Sequence, residues 1–315
     1  AAVDRSALNV VMLMPYFFIN CCCQSTDLSM FLEQRNRLAP SAAKCSAMAL
    51  PIPFDAPLMT TFMAMIFSKL GKARMHNFAN MKAKQYEHLF FDLDHTLWDF
   101  DTNSEATLRD LYAELKLDEK ATVDFDQFHK TYQHHNSIYW DRFRKGYINR
   151  EELRWRRMWR TLVDYKITDE PLSKKMSDRY LDILPTKTNL FPHCMELLNY
   201  CSEKKYPMHL ITNGFEATQH LKIKNSGISH FFKEVITSEQ AGIMKPHAAI
   251  FEYALNKTNA TAEKSIMIGD TLEVDILGAM NAGWDTAYFN TAVPHTPKIK
   301  PTYVIQNLGE LMKIF

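Results

Sequence analysis

Asp92 and Asp94 stand two residues apart in Asp92-Leu93-Asp94-His95-Thr96-Leu97, at the end of an apolar run. On an extended strand end that spacing puts both carboxylates near one face. One can then attack an electrophile while the other handles protons. Three further features close later apolar runs: Thr212-Asn213-Gly214, Lys245 before Pro246, and Gly269-Asp270 with Asp275 shortly after. If those runs are neighbouring strands, Asp92 and Asp270 face each other. Two close carboxylates repel and shift each other's pKa. A hard divalent cation resolves the conflict, and a site of few carboxylates plus water suits Mg²⁺. Lys245, Thr212 and backbone amides would hold the remaining oxygens of a phosphate.

The elements needed to position these residues are legible in the pattern. His88–Leu93 reads as a buried strand. Strands are also predicted at Pro207–Ile211, Glu234–Thr237, Ser265–Ile268 and Thr286–Phe289, and Tyr303–Ile305 and Leu308–Phe315 close the chain. Helices are predicted at Phe215–Asn225, Pro246–Asn256 and Leu272–Asn281 between them. Strands alternating with helices imply parallel βαβ units. The fold class is therefore α/β, a Rossmann-like doubly wound parallel sheet with ligands beyond the carboxyl ends of its strands. Between about Asn103 and Thr188 no strand is predicted. Leu108, Leu111 and Leu115 have helical spacing, Phe125 to Arg144 continues it, Asn149 and Glu152 resemble a capping box, and Pro171 suits a first helical turn. This block reads as an inserted all-helical cap. The expected organisation is 81–103 for the first part of the core, 104–187 for the cap and 188–315 for the second part of the core.

Each chemical residue has a bland alternative. Asp270 suits a helix N-cap, Thr212 a turn, Lys245 a solvated surface, and Asp92 and Asp94 an acidic loop. Their ordered appearance at successive strand ends favours a site. In that order and context they resemble the four motifs of the haloacid-dehalogenase superfamily, from Glu87 to the C terminus. The resemblance implies that Asp92 attacks phosphorus and forms an aspartyl-phosphate. Asp94 would protonate the leaving oxygen and then activate water. Asp92, Asp270 and the backbone carbonyl of Asp94 would ligate Mg²⁺. Thr212 and the backbone at Asn213 would bind the phosphoryl group, Lys245 would neutralise charge, and Asp275 would orient Lys245 or metal-bound waters.

The acid at Asp94 points to a phosphatase or mutase, because dehalogenases of the superfamily lack it. His88-Leu-Phe-Phe-Asp-Leu-Asp-His-Thr-Leu-Trp-Asp-Phe-Asp-Thr-Asn103, with Thr212-Asn-Gly-Phe215 and Met244-Lys-Pro246, resembles the bacterial pyrimidine 5′-nucleotidases of the group. A nucleoside monophosphate is then the expected substrate. Phosphoglycolate, a sugar phosphate, a phosphomutase reaction and a catalytically silent phosphate-binding module stand as alternatives. Trp98 and Phe100 are expected to pack the turn beneath the cap rather than stack on a base. In Arg154-Trp-Arg-Arg-Met-Trp-Arg160, Trp155, Trp159 and Leu162 read as a buried stripe, and the arginines as a solvated face. His134 and His135 are expected at the surface, and His95 is given no role.

Composition excludes some classes. The 315 residues carry 37 basic and 36 acidic side chains, so no basic excess suggests nucleic acid or a membrane surface as partner. A small phosphorylated substrate is the expected partner, with the protein a monomer or homodimer. Residues 1–80 differ from the rest. They hold eight of the 17 methionines, four of the six cysteines and two short apolar runs. Their preferred reading is upstream sequence from a misassigned start, with Met81 as the natural one. A disordered or membrane-associated extension and a signal segment are the alternatives. No zinc-type or disulfide-type cysteine spacing appears, and a reduced, cytoplasmic location is expected.

Overall fold

The computed structural model describes residues 86–120, 124–291 and 299–315. The readings for residues 1–80 and for Met81 lie outside the described residues. Six parallel strands form one sheet: β1 (His88–Phe91), β2 (Met208–Thr212), β3 (Phe232–Thr237), β4 (Ser265–Gly269), β5 (Asp285–Phe289) and β6 (Tyr303–Ile305). Their order is β3-β2-β1-β4-β5-β6. Phe91 on β1 pairs with Leu210 on β2 and Ile268 on β4, so the central strand has neighbours on both sides.

Side chains alternate across β1 because the strand period is two. Leu89 and Phe91 join a core with Leu210, Ile266 and Ile268 on one face. Phe90 joins Ile211, Met267, Phe251 and Trp284 on the other. Both faces of the sheet are buried, as a doubly wound parallel sheet requires. The order reverses beside β1, which places a crevice outside the carboxyl ends of β1 and β4.

Between β1 and β2 the chain builds helices α1 (Phe100–Glu114), α2 (Leu117–Lys120), α3 (Phe125–Arg144), α4 (Arg150–Asp164) and α5 (Glu170–Ile183). Asp99, Asp124, Asn149 and Asp169 cap the starts of α1, α3, α4 and α5 by accepting a backbone N–H. The Asn149–Glu152 capping box forms with both of its bonds. Asn103 Oδ1 accepts from Asn189 N at 3.1 Å and from Asn189 Nδ2 at 2.8 Å, and Asn103 Nδ2 donates to Asn189 O at 2.8 Å. The segments entering and leaving the helical block are thereby pinned together. Among the described residues no helix is long and apolar enough to cross a membrane.

After β2 the sheet is flanked by α7 (Glu216–Asn225), α8 (Ser238–Ala241), α9 (Ala248–Thr258) and α10 (Leu277–Asn281), with α6 (Cys194–Glu203) preceding β2. Three details differ from the sequence reading. The helix predicted at Leu272 begins as a π-turn over Leu272–Ile276 before α10. There the Asp275 carboxylate turns back to accept from Thr271 N at 3.0 Å. Second, the buried residues of α4 are Leu153, Arg157, Met158, Thr161 and Leu162, so Arg157 lies inside while Trp155 and Trp159 are only half-buried. Third, His135 is buried against Asp164, with 2.6 Å between His135 Nε2 and the carboxylate. His135 on α3 and Arg157 on α4 thus fall on the buried faces of their helices, where Asp164 and Asn136 partner them.

Candidate active site

The crevice at the strand ends is a cleft of about 370 Å³. It is lined from the sheet side by Asp92, Asp94, Thr212, Asn213, Lys245, Asp270 and Asp275, so all seven residues singled out in the sequence meet in one place.

Asp92 follows β1 and its backbone N–H donates to Ile268 O of β4 at 2.8 Å. Its carboxylate accepts from Lys245 Nζ at 2.6 Å. Lys245 Nζ also donates to Ile211 O at 2.7 Å and lies 2.6 Å from Asp275 Oδ1. The Asn213 side chain clasps the Lys245 main chain, donating to Lys245 O at 2.9 Å and accepting from Lys245 N at 2.9 Å. Asn213 therefore fixes the lysine loop with its side chain. Gly269 must be glycine, because a Cβ there would sit 2.5 Å from Asp275 Cβ.

Electrostatics make this cluster unusual. Burial pushes the Asp92 carboxyl well above its ordinary range, and the Asp275 and Asp270 charges add to that against the pull of Lys245. Burial, then Asp275, pushes Asp270 up to about 7. Lys245 is held above its ordinary value, since Asp275 and Asp92 outweigh its own desolvation. One oxygen from each of Asp92, Asp270 and Asp275 lies within 4.8 Å of the others. Three carboxylates thus share one ammonium in a desolvated site. Oxygen donors with excess negative charge fit a hard divalent cation. The Asp94 side chain stands outside this group.

Asp94 faces α7. Lys222 Nζ donates to its Oδ1 at 2.6 Å and Gln219 Nε2 to its Oδ2 at 2.8 Å. Burial alone would raise this carboxyl, but the Lys222 ammonium and the two hydrogen bonds hold it below its ordinary value. Burial in turn lowers Lys222.

Opposite the sheet, α3 contributes Asn136, Ser137, Trp140 and Arg144 to the cleft. Positions 136, 140 and 144 share one helical face. Arg157 Nη1 donates to Asn136 Oδ1 at 2.6 Å. A guanidinium only donates, so Asn136 is left to present its NH₂ to the cleft. The Trp140 and Phe215 rings stack at 5.9 Å with 29° between planes. The Arg150 guanidinium lies 4.5 Å over Phe215 and pairs with Glu239 at 2.6 Å, tying α4 to α8. Trp98 is fully buried, whereas Phe100 and His95 line the cleft. The sequence reading missed Gln219, Lys222 and the α3 residues. Their only advance signal was polar or aromatic residues at helical spacing, which surface and core helices share.

The geometry has counterparts. The sequence model of haloacid dehalogenase-like hydrolases matches residues 86–283. The pyrimidine 5′-nucleotidase YjjG of Escherichia coli (strain K12) is 30% identical over 234 residues, covering 73% of this chain and 98% of that protein. The glyceraldehyde 3-phosphate phosphatase of Methanothermobacter thermautotrophicus is 40% identical over 101 residues, covering 32% of this chain and 45% of its own length. The magnesium-bound crystal structure of the HAD-hydrolase YfnB from Bacillus subtilis superposes with a TM-score of 0.66 at 29% identity, over 73% of this chain and 99% of that one. The family model takes in β1, the helical block and the crevice acids through Asp275, and on that span the chain belongs to the haloacid dehalogenase-like hydrolases.

Proposed function

We propose that this hydrolase is a Mg²⁺-dependent phosphomonoesterase that works through an aspartyl-phosphate, with a pyrimidine nucleoside 5′-monophosphate as its preferred substrate class. The observation that carries the chemistry is the meeting of Asp92, Asp270 and Asp275 around Lys245 at one crevice, with Asp94 on its rim. The nucleotide class is supported by the likeness to a pyrimidine 5′-nucleotidase over nearly all of that protein's length.

In this reading an Asp92 oxygen attacks phosphorus and the bond from phosphorus to the ester oxygen breaks. The departing oxygen takes a proton from Asp94. A water then attacks the aspartyl-phosphate as Asp94 takes a proton back from it, and inorganic phosphate leaves with Asp92 restored. Lys222 holds Asp94 ionised in the resting site, the form needed for the second step. The negative charge of an entering phosphate raises the proton affinity of Asp94, as the first step requires. Lys245 donates to Asp92 and favours its carboxylate, against the burial and neighbouring acids that favour the protonated form. Thr212 donates to a phosphoryl oxygen, and the Asn213 backbone lies beside it. Asp275 holds Lys245 in place. Asp92, Asp270 and the Asp94 backbone carbonyl would hold Mg²⁺. When bound, the ion supplies positive charge that keeps Asp92 ionised and offsets charge on the phosphoryl oxygens.

Trp140, Asn136 and Arg144 on α3 face the space that the leaving group would occupy. An aromatic face with donors beside it suits a base and sugar better than a small acid. A triose phosphate is the second reading, supported by the stretch shared with a glyceraldehyde 3-phosphate phosphatase. Phosphate release with Mg²⁺ across nucleoside monophosphates, glyceraldehyde 3-phosphate, phosphoglycolate and sugar phosphates separates them. Highest kcat/KM on pyrimidine monophosphates is the expected result. Highest kcat/KM on another ester would keep the chemistry and replace the substrate.

A further inference from the structure

One face of α7 holds both oxygens of Asp94. Gln219 and Lys222 are three residues apart, hence neighbours on the helix surface. The Gln219 Nε2 group that donates to Asp94 at 2.8 Å also donates to Thr212 Oγ1 at 3.0 Å. One side-chain amide therefore spans the proton-handling carboxylate and the phosphate-holding hydroxyl. Thr212 Oγ1 also accepts from Gly214 N at 3.0 Å. A hydroxyl has two lone pairs and one proton. With both lone pairs engaged, the Thr212 proton is left to donate.

The packing enforces the arrangement. Gln219 is 1% exposed and Lys222 2% exposed. A Cβ on Gly214 would fall 1.6 Å from Gln219 Nε2, so glycine at 214 makes room for the amide. The Lys222 ammonium sits 4.2 Å over the Trp98 ring and 5.3 Å over Phe100, which adds two aromatic contacts to its bond with Asp94. Burying a lysine and a glutamine costs free energy unless specific partners offset it. Here the partners are two residues of the proposed chemistry.

We propose that Gln219 and Lys222 are positioning residues of the reaction. Lys222 and Gln219 together fix the Asp94 carboxylate at the cleft wall, and Gln219 also orients the Thr212 hydroxyl as a donor. Both act through Asp94 and Thr212 rather than on substrate. The inference rests on the phosphomonoesterase reading.

The test compares two esters on the full-length chain. A nucleoside 5′-monophosphate expels an alkoxide that needs a proton, whereas p-nitrophenyl phosphate expels a stable phenolate that does not. Lys222→Met is expected to lower kcat/KM, which reports the first phosphoryl transfer, by on the order of 10²-fold on the nucleotide and by less than about 10-fold on p-nitrophenyl phosphate, the pattern of lost acid–base help. kcat itself should fall on both esters, because hydrolysis of the shared aspartyl-phosphate also uses Asp94, so the difference between the esters is read in kcat/KM. In an Asp94→Asn background Lys222→Met should add less than about 3-fold, because residues acting as one unit are non-additive. Gln219→Leu gives a second reading should Lys222→Met not fold. It should slow both esters, through Thr212, and the nucleotide more, through Asp94. Equal losses of kcat/KM on the two esters, or losses that multiply with Asp94→Asn, would overturn the inference and leave the phosphatase reading intact. Wild-type protein releasing phosphate from neither ester would remove that reading, and the inference with it.

Discussion

Lys245 Nζ meets Asp92 Oδ1 at 2.6 Å, although the two residues lie 153 positions apart. The parallel sheet creates this pair by bringing the ends of distant segments to one crevice, and the lysine ammonium contacts Asp92 and Asp275, which with the half-buried Asp270 form one acidic cluster. Lys245→Met should lower kcat on the order of 10²–10³-fold, the range for removing one preorganised donor. In metal-free protein it should also destabilise the fold by about 3 kcal/mol, as when one partner leaves a buried ion pair. Mg²⁺ should restore part of that stability, read as a recovery of the melting temperature.

The carboxylates set a pH dependence. Asp270 is pushed up to about 7 in the folded protein. A carboxyl whose folded pKa lies above its unfolded one binds more protons in the native state. Its contribution to metal-free stability therefore declines as pH rises from the ordinary carboxylate range to about 7 and levels off above. A cation must displace that proton. Mg²⁺ affinity should therefore rise roughly tenfold per pH unit below about 7 and flatten above it. Calorimetric titration across that range measures it. Affinity independent of pH would count against Asp270 as a ligand.

Asp94 carries a structural duty beside its proposed chemical one. Lys222 is nearly fully buried, and Asp94 is the carboxylate it touches. Asp94→Asn should slow turnover on the order of 10²–10⁴-fold. It should also cost roughly 2–3 kcal/mol of stability by leaving Lys222 without its counter-charge. Adding Lys222→Met to Asp94→Asn should recover most of that loss in denaturant unfolding. No recovery would mean that the pair does not carry the effect.

Trp140 tests the leaving-group side. It lines the cleft and stacks on Phe215. Trp140→Ala should raise KM for a nucleoside monophosphate about tenfold, matching the loss of one stacking contact of about 1–1.5 kcal/mol. KM for p-nitrophenyl phosphate should change less. Parallel changes in both would point to cap packing in place of base contact.

The sheet was legible because β1, β2, β4 and β5 are short apolar runs bounded by turn residues, and Asp92, Thr212 and Asp270 each stand at the end of such a run. The capping box at Asn149 was legible because its hydrogen bonds are local. What escaped the sequence depends on long-range contact. Gln219 and Lys222 carry no local sign of burial, which comes from Asp94, Thr212 and Trp98 packing on them. Arg157 hides in a run of arginines, and its buried contacts with Asn136 and the rings of Tyr132 and Tyr180 come from distant segments. The π-turn at Leu272–Ile276 follows from Asp275 turning toward Thr271 and Lys245, a demand that periodicity cannot carry.

The central claim is that Asp92 is the nucleophile. The direct measurement is acid-quenched mass spectrometry of the protein during turnover with Mg²⁺ and a nucleoside monophosphate. A phosphoryl group is expected on the peptide containing Asp92 and absent in Asp92→Asn, which should fold and bind substrate but not turn over. Wild-type turnover with no covalent phosphoryl group, or near-wild-type turnover by Asp92→Asn, would contradict it.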